Sequence, residues 1–320
     1  MPTPAAPRQR TTSRRRAAVV LAAVALVVVL VVAVVLLVVK PFTAAEVPST
    51  DCTRYGLSAE DSRAHPHTVT RATQPTDEDQ TQAGALGRLD QSFTDRGVTS
   101  QYHVVDGGVD TSKPVGLVVD LHGDGGAEFT EPGGRTTCLA AVAASHNALL
   151  VVPLTPDCHG DCTWWRDMAP NLRWLRALTE KELLRNLPVQ KDRITWMGYS
   201  GGAEMLSYGV LSDARDLVTG GAVMVGGGGA PSSLGTAPTA EQKRQLRMWW
   251  FTGAQDDGAG EDSDFDAVTA ATDGQHFYEA RGFTRTRLEL LPGHTHFDMP
   301  DASILDELLG AEQPPASPTP

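Results

Sequence analysis

The sequence predicts an α/β domain in which a mostly parallel central sheet carries helices on both faces. Three observations predict it. Short apolar runs of strand length alternate with segments of helical spacing through most of the chain. Several runs are apolar at successive rather than alternate positions, as expected of strands covered on both faces. The chain has 320 residues, 41% of them hydrophobic, which suits one sizeable domain with extensions rather than several domains.

In chain order, residues 115–121 form a near-continuous apolar run that ends in glycines. Helical spacing follows over 135–147, then an apolar run over 148–154. Residues 174–187 read as an amphipathic helix and 193–197 as a strand. Ala203, Leu206, Val210 and Leu211 then recur at helical intervals. Further strands are expected over 222–225, 246–251 and 286–291, with helices over 265–281 and 304–309. In such sheets, sites form where strands end at their carboxyl termini.

The domain is expected over residues 96–311, and its flanks have a different composition. Residues 17–39 are apolar throughout, long enough as a helix to cross a bilayer core of roughly 30 Å. Arg8, Arg10, Arg14, Arg15 and Arg16 precede this run and only Lys40 follows it closely. That asymmetry leaves residues 1–16 cytoplasmic and everything after Lys40 outside a cell membrane crossed once. A cleaved signal is the alternative, although its apolar core is usually about 7–15 residues and Thr43, Ala44 and Ala45 make a poor cleavage site. Residues 40–95 are polar and read as an extracytoplasmic linker, and residues 312–320, with four prolines, as a disordered tail.

Charge narrows the partners. The formal net charge is −12, and residues 1–40 contain six basic and no acidic side chains, so the remainder carries −18. An exported domain so acidic is a poor partner for nucleic acid. Cys52, Cys138, Cys158 and Cys162 all follow the apolar run, where thiols oxidise and persist as disulfides. Cys158 with Cys162 is the local pair, leaving Cys52 with Cys138. Their spacing, even with His159, matches no closed zinc site.

Gly198, Tyr199, Ser200, Gly201 and Gly202 spell G-x-S-x-G, a pentapeptide that is weak evidence alone. Its context is specific. A strand runs into it and a helical pattern leaves it, as a nucleophile elbow requires, and close strand–helix packing demands small residues two positions before and after the serine, met by Gly198 and Gly202. A second glycine-rich stretch, His122, Gly123, Asp124, Gly125 and Gly126, ends the 115–121 strand. The 246–251 strand leads into Gly253, Ala254, Gln255, Asp256 and Asp257, and the 286–291 strand into Gly293, His294, Thr295 and His296. A serine nucleophile needs a base in contact, itself oriented by a carboxylate, and these loops supply both in order.

On these motifs the stretch from Tyr102 to Leu309 resembles the α/β-hydrolase superfamily, and more loosely its secreted bacterial esterases similar to polyhydroxybutyrate depolymerases and feruloyl esterases. The resemblance implies a serine hydrolase, foremost a carboxylic ester hydrolase, with Ser200 as nucleophile, His296 as base and Asp256 as orienting acid. Asp257 and His294 remain the reserves. It also implies an oxyanion hole from the N–H groups of Gly201 and Asp124, with Gly125 the alternative because the family often has glycine at the Asp124 position. No metal or organic cofactor is called for.

Other readings stay open. A serine peptidase on the same fold would use the same triad, and a silent binding module would keep the fold alone. His294, His296 and Asp298 form H-x-H-x-D, but a following histidine is missing and the run lies close to the C-terminus. Trp164 and Trp165 either wall an acyl pocket or pack in the core. The segment after Gly226–Gly229 is too short for a cap domain, so an open site suited to bulky or polymeric esters is expected.

Overall fold

The computed structural model describes residues 52–55 and 87–311, except residues 131 and 260–263. Eight strands form one sheet in the order β1-β2-β4-β3-β5-β6-β7-β8. They are β1 Arg88–Asp95, β2 Val98–Val105, β3 Val115–Leu121, β4 Ala148–Pro153, β5 Val189–Tyr199, β6 Gly221–Val225, β7 Arg247–Gly253 and β8 Arg285–Leu291. β2 runs antiparallel to both β1 and β4, and the other pairs are parallel. The mostly parallel sheet expected from the sequence is present.

The successive apolar residues of the inner strands serve two cores. Leu117, Val119 and Leu121 of β3 join Trp196, Met224 and Trp250 on one face. Val118 joins Leu150, Met197, Val223 and Phe251 on the other. Helix α1 (Gly134–Ser145) and helix α5 (Asp301–Gly310) cover the second face through Leu139, Val142, Leu305 and Leu308. The first face is covered by α2, a helical segment made of Met168–Ala177, Leu178–Leu183 and Leu184–Asn186. It shares that face with α3, made of Gly201–Glu204, Met205–Val210 and Leu211–Asp213, and with α4 (Ala267–Glu279). Between β6 and β7 lies a single short helix, Ala240–Gln245, and no inserted domain.

The first two strands correct the sequence reading. β1 lies within residues 40–95, expected to be linker, and β2 was not anticipated as a strand. β1 alternates exposed and half-buried positions, but its sequence RLDQSFTD offers only Leu89 and Phe93 as large apolar side chains. Phe93 packs edge-on against Trp174 at 5.9 Å. Arg96 (φ 50°) and Gly97 (φ 81°) join the two strands, with Asp95 opposite Val98. Two positive φ values in a two-residue loop make the tight hairpin turn whose twist matches its strands.

The expected disulfides are both present: Cys52 pairs with Cys138, fastening the short helix Cys52–Tyr55 to α1, and Cys158 pairs with Cys162. Among the described residues no helix is long and apolar enough to cross a membrane. The apolar run over 17–39, most of the linker and the 312–320 tail lie outside the described residues.

Candidate active site

Strand register brings the motif loops together. Leu121 at the end of β3 lies opposite Gly198, so the loop beginning at His122 emerges beside Ser200. Gly253 of β7 lies opposite Leu291 of β8, so the loops carrying Asp256 and His296 emerge side by side. All four leave carboxyl ends of parallel strands, where a doubly covered sheet places its crevice.

Ser200 is held at φ 51°, ψ −117°, a conformation non-glycine residues rarely adopt, and its N–H donates to the Val225 carbonyl at 2.9 Å. The flanking glycines make this turn feasible. A Cβ on Gly198 would lie 2.4 Å from the Gly202 carbonyl oxygen, and one on Gly202 would lie 2.2 Å from that of Leu121. Either contact would force strand and helix apart.

Ser200 Oγ stands 2.9 Å from His296 Nε2, and His296 Nδ1 stands 2.7 Å from Asp256 Oδ2. A neutral imidazole protonated on Nδ1 satisfies both contacts, Nδ1–H donating to the carboxylate and Nε2 accepting from the serine hydroxyl. His296 and Asp256 are 5% and 3% exposed. Thr252 Oγ1 also donates to Asp256 at 3.3 Å, and the Tyr199 hydroxyl donates to the His296 carbonyl at 3.1 Å. The reserves point elsewhere: Asp257 accepts from the Ala259 N–H, and His294 Nδ1 contacts the Asp298 carbonyl.

The His122 loop is fixed by a buried network. His122 Nε2 accepts from the Thr155 N–H at 3.0 Å, so its proton sits on Nδ1 and is donated to the Gly123 carbonyl at 2.6 Å. Burial pushes this imidazole below its ordinary pKa and keeps it neutral. The Gly123 N–H donates to Glu128, and the Gly125 N–H to the Cys162 carbonyl at 3.0 Å. The Gly125 amide is therefore turned away from Ser200. Behind the loop, the buried Arg135 guanidinium grips Asp120 of β3 and donates from Nε to Asp301 of α5 at 2.6 Å.

A cavity of about 760 Å³ opens over Ser200. Gly201, Tyr199, His296 and Trp165 line it, with Trp165 48% exposed and its indole N–H donating to both Asp124 carboxylate oxygens at 3.1 and 2.9 Å. Trp164 is instead fully buried against His122. The two tryptophans thus divide the alternatives the sequence left open, one at the pocket and one in the core. Sequence reasoning missed Glu128, Glu204, Tyr208, Phe265 and Phe297, which also line the cavity. Glu204, four residues after Ser200 in the first turn of α3, and Phe297, beside His296, carried a signal in their spacing. Among the described residues no cluster of histidine, cysteine or carboxylate side chains could hold a metal ion.

No family model and no curated protein matches this sequence. Solved structures do. An acylaminoacyl peptidase from Pyrococcus horikoshii superposes with a TM-score of 0.51 at 10% identity, over 71% of this chain and 41% of that one. An esterase from Rhizomucor miehei gives 0.50 at 12% identity, over 70% and 81%. The chain spans 59% of the length of a thermostable esterase that it matches at 20% identity and a TM-score of 0.49, over 69% of its own length. Together with the strand order, the first two likenesses establish the α/β-hydrolase fold.

Proposed function

We propose that this protein is a serine hydrolase that cleaves carboxylic esters by two-step acyl transfer. The observation that carries the reading is the continuous hydrogen-bonded line from Asp256 through His296 to Ser200 Oγ on a strained elbow. His296 takes the hydroxyl proton as Oγ attacks the ester carbonyl, and Asp256 stabilises the imidazolium that forms. The N–H groups of Gly201 and Asp124 receive the developing oxyanion, since the Gly125 amide is engaged by Cys162. His296 returns the proton to the departing alcohol, and water repeats the sequence to free the acid.

The pocket supports a substrate of some bulk. It is bounded by exposed aromatic side chains, and no inserted domain lies between β6 and β7. A fluorophosphonate probe should label the wild-type chain and leave Ser200→Ala unlabelled. An unlabelled wild type would end the serine hydrolase reading.

The same proposal places the domain outside the cytoplasm, tethered by residues 17–39. Support comes from the arginine-flanked apolar run and from two disulfides in the described residues. The full chain should sediment with membranes, whereas a chain beginning at Pro41 should not. Full-length protein in the soluble fraction would remove the anchor.

A further inference from the structure

The walls of the cavity are chemically lopsided. Asp124, Glu128 and Glu204 supply three carboxylates, and no lysine or arginine lines it. Arg166, the cation next along the chain from Trp165, lies 3.9 Å from Asp157 instead. Asp124 sits beside the nucleophile: a Cβ on Gly201 would lie 2.1 Å from its Oδ1. Its hydrogen-bond partner is the neutral Trp165 indole, and Glu204 accepts the Gly228 and Gly229 amides at 2.8 and 3.3 Å. Such donors orient a carboxylate and leave its charge in place. Burial foremost, with the charge of Asp124 also contributing, raises the Glu204 carboxyl above its ordinary pKa. Asp124 and Glu204 face a common cavity, and a cation between them would be attracted to both and favour their charged forms.

The remaining walls suit the same guest. Trp165, Phe265 and Phe297 are exposed at the cavity, and Tyr208 lines it near Glu204. Aromatic faces attract ammonium and guanidinium groups through the ring quadrupole, most strongly where water is thinned. Carboxylates and rings around one cavity favour a cationic group and disfavour an anionic one.

We propose that the cavity selects substrates bearing a positively charged group, with Asp124, Glu204, Trp165 and Phe297 as its specificity determinants. This rests on the serine hydrolase reading of Ser200. It predicts that an ester with an ammonium in its acyl or alcohol portion is cleaved faster than its neutral isostere, and an anionic analogue slower.

Two probe sets test it, each pairing a cationic ester with its neutral isostere and the first adding an anionic analogue. On the acyl side, p-nitrophenyl 6-aminohexanoate is compared with p-nitrophenyl heptanoate and with the p-nitrophenyl monoester of adipic acid. On the alcohol side, acetylthiocholine is compared with 3,3-dimethylbutyl thioacetate. In at least one pair the cationic member should exceed its neutral isostere in kcat/KM by about tenfold, or 1.4 kcal/mol. The ratio should shrink as NaCl rises from about 0.05 to 0.5 M, because salt screens charge and leaves apolar contact intact. Glu204→Gln should lower the ratio by about threefold or more. Neutral isosteres cleaved as fast as cationic ones in both pairs, or a preference insensitive to salt, would overturn the proposal and leave the hydrolase reading standing. If no member of either pair is cleaved, the hydrolase reading itself fails. The wild-type ratio and its salt dependence decide the matter even if Glu204→Gln does not fold.

Discussion

Arg96 and Ser200 hold nearly the same backbone torsion, φ 50° and 51°, in opposite settings. Arg96 lies in an exposed turn between the edge strand β1 and its neighbour β2. Ser200 ends a central strand, between neighbours β3 and β6, with helix α3 leaving directly from it. At the edge, solvent tolerates almost any side chain, so the turn demands little beyond Gly97. At the centre, the Leu121 and Gly202 carbonyls press against the elbow and dictate which residues fit. One torsion therefore serves architecture in one place and, on the reading proposed above, chemistry in the other.

That comparison predicts a separation of effects. Ser200→Ala and His296→Ala should each lower kcat on a neutral ester by about 10⁶-fold, and Asp256→Asn by about 10⁴-fold, with folding retained. The reserves Asp257→Asn and His294→Ala should change kcat little by comparison. If His294→Ala proved as damaging as His296→Ala, the geometry at the end of β8 would have been misread.

Gly202→Ala comes next, because its new methyl would meet the Leu121 carbonyl. It should destabilise the fold by about 2–3 kcal/mol in urea titrations and abolish most activity. Phe93→Ala on β1 should also weaken stability, by about 2 kcal/mol, through lost packing on Trp174. Unlike Gly202→Ala it should leave kcat of the folded fraction unchanged. Gly97→Val, at φ 81° where a β-branched residue is strained even with nothing near its Cβ position, should cost about 1–2 kcal/mol. A large loss of kcat in either hairpin variant would erase the contrast.

Acid should act on both regions together. His103 on β2 accepts the Asp90 N–H at Nδ1 and donates from Nε2 to the Phe129 carbonyl, and His122 is buried in the site loop. Burial holds both imidazoles below their ordinary pKa. A group whose folded pKa is depressed favours the folded state least when protonated. Stability present above the unfolded value of about 6.5 is therefore lost as pH falls below it. The urea midpoint should drop between about pH 7.5 and 5, and His103→Gln should flatten that dependence if it folds. A midpoint unchanged over that range would contradict the buried neutral assignment.

Legibility in the sequence followed the same divide. Strands β3, β4, β6 and β7 were readable because burial on both faces makes nearly every residue apolar, whereas in β5 and β8 only the apolar stretch toward the carboxyl end gave the strand away. The residues gathered at the site were readable because glycines and polar groups stand at fixed offsets from strand ends. β1 was not, since one face is exposed and two large apolar residues in eight do not distinguish a strand from a polar linker. Two carboxylates of the cavity, Glu128 and Glu204, went unrecognised, although Asp124 did not. Glu128 and Glu204 look like ordinary helix-start acids, and only tertiary packing places them on the cavity lining.

Arg135 constrains how this protein can change over generations. Its planar fork spans Asp120, two residues before the His122 loop, and Asp301, five residues after His296. A lysine offers a point charge rather than a fork, so no single conservative step replaces it. Loss of either aspartate leaves a buried guanidinium undercompensated, which typically costs about 3–5 kcal/mol. The three positions are thus expected to drift only in concert, and lineages that diverge widely in the pocket walls should still share this trio.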